Sequence, residues 1–313
     1  ANDMGFVTLV NDHQFTQRLD LLQFTPGRYF RLASATATTE SHWTIGGLPS
    51  ARTAQLSVNV TLHNSWQLIA TTFANDLGGV NCVSCSRGGP VLTQSPKTGF
   101  RLDVIGDPRP SVVPRAAIRF GRSDVGRSWY RGADLATDVR SASRLSGTLS
   151  ASFDHVVNDQ QWVGNFGAVG RDSTHYTFGR LDQNILTLTG RANFTATPTL
   201  SFQLYAQPFV TTGHLSEWRE LWHPRADSYA DRFRPFSGPP GILNDFNVKQ
   251  FNSNIVARWE YRPASALFVV WQQGRQQGDL NPGTFDAPRD VRDLFRAHPD
   301  NTLLVKISWW FNP

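Results

Sequence analysis

The chain contains no apolar run near the ~20 residues that a transmembrane helix requires, which excludes a helical membrane protein. Strong helix formers are scarce: there is 1 Met, Lys supplies 3 of the 30 basic residues, and Glu is rare. A predominantly helical fold is disfavoured on that ground. Only 2 cysteines are present, too few for a disulfide-built scaffold or a four-thiolate zinc site. Gly-x-Ser-x-Gly and phosphate-loop patterns are both missing, so no nucleophile elbow or nucleotide cradle is expected. The opening Ala1-Asn2-Asp3-Met4 has neither a basic start nor an apolar core and is not a signal peptide. Mean hydropathy is −0.34. That average is uninformative for a barrel, where only every second strand residue faces lipid.

What is abundant points to strands. Thr, Ser, Val and Gly are plentiful, and aromatics make up 12% of the chain, with 10 Trp and 21 Phe. This is an all-β composition. The formal net charge is +5 and almost all positive charge is Arg. The arginines are scattered rather than gathered on one face, so no nucleic-acid partner is expected. A basic rim facing anionic lipid headgroups or acidic glycans fits better.

Gln183–Phe209 carries the clearest pattern. Leu186, Leu188, Gly190, Ala192 and Phe194 alternate with Thr187, Thr189, Arg191 and Asn193; after Thr197-Pro198-Thr199, Leu200, Phe202, Leu204 and Ala206 alternate with Ser201, Gln203, Tyr205 and Gln207. A period of two means a hairpin with one apolar and one polar face. Similar segments recur near 13–23, 28–39, 54–62, 66–73, 100–104, 114–122, 134–140, 145–154, 250–261, 266–276 and 303–311, about thirteen strands in all. Pro208 would break a ladder bond and is expected at a rim or bulge. Short turns near 24–27, 64–65, 107–112, 141–144, 196–199 and 262–265 alternate with longer connections near 41–51, 75–97, 123–132, 158–175, 212–249 and 278–300. Loop lengths sorted by end are the pattern of outer-membrane barrels. The expected fold is therefore an antiparallel up-and-down transmembrane β-barrel, polar faces inward, forming one domain over 1–313. Counting directions back from the last strand places the start of the first strand at the long-loop end. With an even strand number as the norm, at least one upstream strand is expected, making this part of a larger barrel. The alternatives are a soluble secreted β-sandwich that binds glycans, and an outer-membrane hydrolase acting at the loop rim.

The polar strand faces supply the lumen-facing candidates Arg101, Asp103, Arg119, Asp154, Arg191, Arg258, Glu260 and Lys306. Mixed charges there suit a hydrated pore or a salt-bridged wall. Asp103 and Asp154 are the one candidate carboxylate pair for acid–base work, with structural ion pairing the favoured use. The loop near 212–249 holds the ligand-binding candidates Trp218, Arg219, Trp222, His223, Arg225, Tyr229 and Arg232. Aromatic faces beside guanidinium groups suit sugar rings or acidic headgroups; the competing reading is a folded plug packed on the wall. Ser216 is a candidate cap for a short helix through Trp222. Cys82 and Cys85 lie in a Gly-rich loop, where a small disulfide is favoured over a metal or redox role. The histidines do not fall at metal-ligand spacing, and neither a metal nor a cofactor is expected.

Three groups of segments carry a family resemblance: Tyr205-Ala206-Gln207-Pro208-Phe209 with Arg219-Glu220-Leu221 and His223-Pro224-Arg225-Ala226; Asn252-Ser253-Asn254 with 258–263 and 267–273; and Asp293-Leu294-Phe295 with Pro299-Asp300-Asn301 and Leu304-Val305-Lys306. Together they resemble the bacterial family called domain of unknown function 5916. The resemblance implies an outer-membrane barrel that usually follows a family-9-type carbohydrate-binding module. It implies outer-membrane lipid and lipopolysaccharide as surroundings, polysaccharide or oligosaccharide as a ligand class, and that missing N-terminal module as a partner. It supplies no catalytic residues. A channel, anchor or receptor of a carbohydrate-handling surface system is the expected function.

Overall fold

A computed structural model of the chain describes residues 12–141, 144–167, 174–237, 244–278 and 280–311. The strands are β1 (Asp12–Gln23), β2 (Phe30–Thr44), β3 (Pro49–Leu62), β4 (Gln67–Asn75), β5 (Val80–Cys82), β6 (Leu92–Gln94), β7 (Lys97–Ile105), β8 (Val112–Ser123), β9 (Ser128–Ser141), β10 (Leu145–Phe166), β11 (His175–Thr197), β12 (Leu200–Leu221), β13 (Phe233–Pro235), β14 (Phe246–Arg262), β15 (Ser265–Gln277) and β16 (Asp300–Ser308). One α-helix, α1 (Ala287–Arg296), precedes the last strand. The main sheet is an antiparallel meander in the order β1-β2-β3-β4-β7-β8-β9-β10-β11-β12-β14-β15-β16, with β13 added beside β12 and a separate β5-β6 hairpin. The thirteen strands of that path are those anticipated from alternation. The sheet does not close among the described residues: β1 pairs only with β2 and β16 only with β15.

The register explains why the two faces differ. Val104, Ala116, Leu135, Ala151 and Leu188 stand opposite one another across β7 to β11. One residue further along, Asp103, Ala117, Asp134, Ser152 and Thr187 do the same. Successive side chains point to opposite faces, so the first row is apolar and the second polar. The apolar face is open: Ile118 is 51% exposed, Leu135 63% and Leu149 60%. Along the row of Val104 an open apolar trough of about 780 Å³ continues to Pro208 and Phe251.

Several elements differ from their sequence expectation. The loop expected over 158–175 is strand through Phe166, and that expected over 212–249 is strand to Leu221 and again from Phe246, because β10, β11, β12 and β14 extend past the alternating stretch. Register shifts between Asn158 and Gln161, Trp162 and Gly164, and Phe178 and Arg180 break the strict period there, which hides these extensions from a pattern search. Ser216 caps no helix; it pairs with Arg180 inside β12. The 75–97 loop holds the β5-β6 hairpin, 128–132 is already β9, and the last strand stops at Ser308. The 141–144 turn lies partly outside the described residues. Pro208 sits inside β12, opposite Phe251, rather than at a rim. Its missing N–H is accommodated because the ladder to β11 skips from Thr187/Phe209 to Gly190/Ala206.

The 278–300 loop contains α1. Asp286 caps it by accepting from the Arg289 backbone N–H at 2.9 Å, with Pro288 in the first turn. The helix covers the long-loop end of β14. Phe295 stacks on Phe251 at 5.2 Å, and Phe285 meets Phe153 at 5.6 Å. Lys249, fully buried, lies 3.6 Å from buried Asp290 and donates to the Leu280 carbonyl at 3.3 Å. A buried ammonium without such partners would be costly.

Replacing Asp286 by Ala removes the cap and is expected to cost about 1 kcal/mol locally. Hydrogen exchange should accelerate over 287–296 while the amides of β10 to β12 stay protected; unchanged exchange in the helix would refute the capping role.

Candidate functional site

Two clusters of charged side chains stand out, one on the polar face of the sheet and one where the strand extensions meet the long loops. On the polar face, Arg101 binds Asp103 at 2.6 Å and reaches Asp134 at 3.3 Å. Arg119 binds Asp134 and, at 2.6 Å, Asp154. Ser152 donates to Asp134 at 2.7 Å, Arg115 pairs with Asp138, and Thr148 donates to Asp138 at 2.8 Å. The arrangement follows from β-register, which puts all of these side chains on one face: partners lie two apart on one strand (Arg101–Asp103), on neighbouring strands (Arg119–Asp134, Arg115–Asp138) or across one intervening strand (Arg101–Asp134, Arg119–Asp154). Gly132 is part of it. A Cβ there would lie 2.2 Å from the Asp154 carboxylate and 2.8 Å from Arg119 Nε, so the pair crosses β9 over a residue without a side chain.

The sequence candidates Arg101, Asp103, Arg119 and Asp154 are therefore brought together, with Asp134 as the hub that alternation did not single out. Arg191 stands apart, 5.3 Å above the Tyr205 ring. Arg258 pairs with Glu260 at 3.0 Å, and Lys306 is exposed on edge strand β16. Asp103 and Asp154 are each held by a guanidinium, so this geometry is that of an ion-paired wall rather than of a free carboxylate pair.

The second cluster is built on Asp159, which is fully buried in the irregular part of β10. Its carboxylate accepts from Arg127 at 2.7 and 3.1 Å, Arg180 at 3.1 Å and the Tyr229 hydroxyl at 2.7 Å, and Arg219 lies at 3.0 Å. Burial alone would raise the Asp159 carboxyl; hydrogen bonds from Arg127, Tyr229 and Arg180, with the charge of Arg219, hold it below the usual carboxylate range. Tyr229 is pushed up by burial and by its bond to Asp159. Glu220 is likewise held low, against its burial, by His175 and Arg234. Around these charges pack Leu92, Phe178, Tyr229 and Phe233, joined by Trp162 and Tyr176.

Burial separates two of the ligand-binding candidates from the others. Tyr229 and Arg232 are buried, and Arg232 serves as a clamp: it donates to the carbonyls of Ala226 at 2.8 Å and Thr93 at 2.8 Å and to the Ser95 hydroxyl at 3.1 Å. It ties the 222–236 loop to the cysteine loop because a guanidinium can satisfy several carbonyls at once. Trp218 and Arg219 belong to the β12 extension. Trp222 is half exposed beneath Arg234 at 3.8 Å, and His223 lies 5.1 Å from it. Arg225 lines a polar cavity of about 420 Å³ with Asn81, Thr93, Gln94 and Asp227. Cys82 and Cys85 form a disulfide. Their loop is seated on the sheet by Asn165, which donates to the Arg87 carbonyl at 3.0 Å, and by Arg87 over Trp162 at 4.0 Å. Among the described residues no group of His, Cys, Asp and Glu has a metal-holding arrangement.

Asp159→Asn should destabilise the loop cluster by roughly 3 kcal/mol, because three guanidinium groups lose their shared counter-ion. The wild-type contribution is present above the ordinary carboxylate range and is lost as pH falls through the lowered Asp159 value. Proteolytic protection of 222–236 should therefore fail only in strong acid for wild type, and already at neutral pH for the variant. Equal protection at neutral pH would rule out the hub. Separately, Gly132→Ala should cost about 1–3 kcal/mol by overpacking the Arg119–Asp154 crossing, read as a lower denaturant midpoint; Ala133→Gly on the other face is the comparison.

Comparison with known proteins supports the resemblance seen in the sequence. No curated protein of similar sequence was found. A family model does match, and it spans residues 1–312. The chain belongs to the family described as domain of unknown function DUF5916.

Proposed function

We propose that this chain forms the strand wall of a bacterial outer-membrane β-barrel whose long loops make a polar, ligand-receiving rim. The observation that carries this is the unpartnered apolar face. Between the short turns and the row of Phe153 and Leu186, apolar side chains such as Ile118, Leu135, Leu149, Leu204 and Leu303 are exposed on strand after strand, while much of the opposite face is ion-paired. Water penalises such a band heavily, whereas lipid does not. At the short-turn end Trp259, Tyr261, Trp309 and Phe311 stack in series at 6.2, 6.1 and 5.9 Å, and Arg262 lies 4.8 Å over Trp309. An amphipathic girdle of this kind suits a headgroup boundary. Lipid tolerates no open edge. In the membrane β1 and β16 therefore pair with each other or with further strands of a larger barrel.

At the rim, the polar cavity lined by Asn81, Thr93, Gln94, Arg225 and Asp227 offers amide, hydroxyl and charged groups to a hydroxyl-rich ligand. This supports a role as receptor or anchor in a carbohydrate-handling surface system, in keeping with the module implied by the family resemblance. The paired state of Asp103 and Asp154 favours such a role over hydrolysis.

The test is phase partitioning of the folded protein, followed by reconstitution. The chain is expected in the detergent phase, and its proteoliposomes should bind oligosaccharide at the loop end, with Asn81→Ala and Asp227→Ala each weakening binding several-fold. Recovery of folded protein in the aqueous phase without detergent would overturn the membrane assignment. Oligosaccharide turnover abolished by Asp154→Asn would replace the receptor role with the hydrolase.

A further inference from the structure

We infer that the pocket between the β12 extension and the β13 strand is an oxyanion-binding site for a phosphate-type group. The cavity measures about 210 Å³ and is lined by Arg127, Arg219 and Arg234 together with Tyr229, Phe233 and Pro235. Three guanidinium groups around so small a volume would repel one another without negative charge.

The protein supplies part of that charge, and its capacity is used up. Asp159 already takes hydrogen bonds from Arg127, Arg180 and Tyr229 and an ion pair from Arg219, through both of its oxygens. Glu217 is taken by Arg127, and Glu220 is shared between His175 and Arg234. Four arginines thus share these three carboxylates, and the further buried carboxylate nearby, Asp124, is held by Ser128 and Gln160 rather than by a guanidinium.

Donors are also left over. Arg219 Nε is buried and has no hydrogen-bond partner. A buried N–H of a charged group without an acceptor is expensive and calls for one. Arg234 donates through its Nε to Glu220, and its guanidinium carbon lies over the Trp222 ring, 3.8 Å from the centroid. Stacking of this kind fixes the plane of the fork while leaving its edge available. Arg219 is fixed in the same way over Phe233 at 4.9 Å. Pre-set guanidinium forks recognise tetrahedral oxyanions through paired, charge-assisted hydrogen bonds, and their rigidity lowers the ordering cost of binding. The site is independent of where the sheet lies relative to a membrane. A phosphate group can reach it either free in solution or as the headgroup of a lipid.

The experiment uses the full chain in nonionic detergent micelles, so its outcome does not depend on membrane insertion. Inorganic phosphate is titrated by calorimetry in one arm; in the other, micelles are doped with phosphatidic acid or with phosphatidylcholine. Saturable phosphate binding points to a soluble ligand. Binding confined to phosphatidic acid points to a lipid headgroup. In either case Arg234→Gln, which leaves Glu220 its His175 partner, should weaken binding roughly tenfold, as loss of one charge-assisted fork does. Arg219→Lys keeps the charge but not the fork and should weaken it as well. Arg292→Gln, an equal charge change on helix α1 outside the pocket, should leave it unchanged. Thermal melts of the variants verify folding. Absence of binding in both arms, or equal losses for folded Arg292→Gln and Arg234→Gln, would overturn the assignment.

Discussion

The constraint on which everything else rests is the antiparallel ladder itself. Once β1 through β16 pair as an uninterrupted meander, every backbone group inside the sheet is satisfied by a neighbour, and each side chain is assigned to a face. A register slip of one residue on any strand would put Asp134 or Arg119 among Leu135 and Ile118. The ion pairs on one face and the apolar band on the other are therefore two consequences of the same registration. The turns enforce it: Ser65 at φ 67° and Ala264 at φ 58° adopt the left-handed backbone that closes the β3-β4 and β14-β15 connections in four and two residues respectively.

Charge is handled differently at the two ends of the strands. On the mid-sheet polar face, ion pairs run along and across the strands of one face and remain partly hydrated, so each pair contributes modestly. Above it, period-two order gives way to bulges at Asn158/Gln161 and Phe178/Arg180. Bulges re-aim side chains, and here they converge Arg127, Arg180, Arg219 and Tyr229 on one buried carboxylate. Such a hub contributes little net stability, since desolvation opposes the attraction. It fixes where the loops go. The 222–236 segment, the cysteine loop and α1 are each held by a buried polar anchor: Asp159, Arg232 and the Lys249–Asp290 pair respectively.

The strands below the Phe153 row were legible because lipid-type or half-buried sheets impose strict alternation, which a single sequence displays openly. Their count, their order as a meander and the faces of Arg101, Asp103, Arg119 and Asp154 follow from that pattern alone. The strand extensions were not legible, because neither face there is uniformly apolar and the bulges reset the period. Helix α1 left a signal that was overlooked: Asp286 followed by Pro288 is an N-terminal capping pattern, although the helix spans only 287–296. Asp134 was missed because β9 alternates poorly, with Gly132, Ala133 and Ala136 too small to mark a face.

What the sequence by itself determined is the local chemistry: all-β composition, the alternation that assigns each strand residue to a face, the short and long connections, and a cysteine pair close enough to join. What only the tertiary structure decided is which charges meet. Asp159 lies 32 residues from Arg127, 60 from Arg219 and 70 from Tyr229, and Arg232 lies 139 from Thr93. Nothing in local propensity encodes such separations, because a side chain's partner across strands depends on registration and bulges accumulated over several ladders. The same long-range convergence buries Tyr229 and Arg232 in the loop cluster.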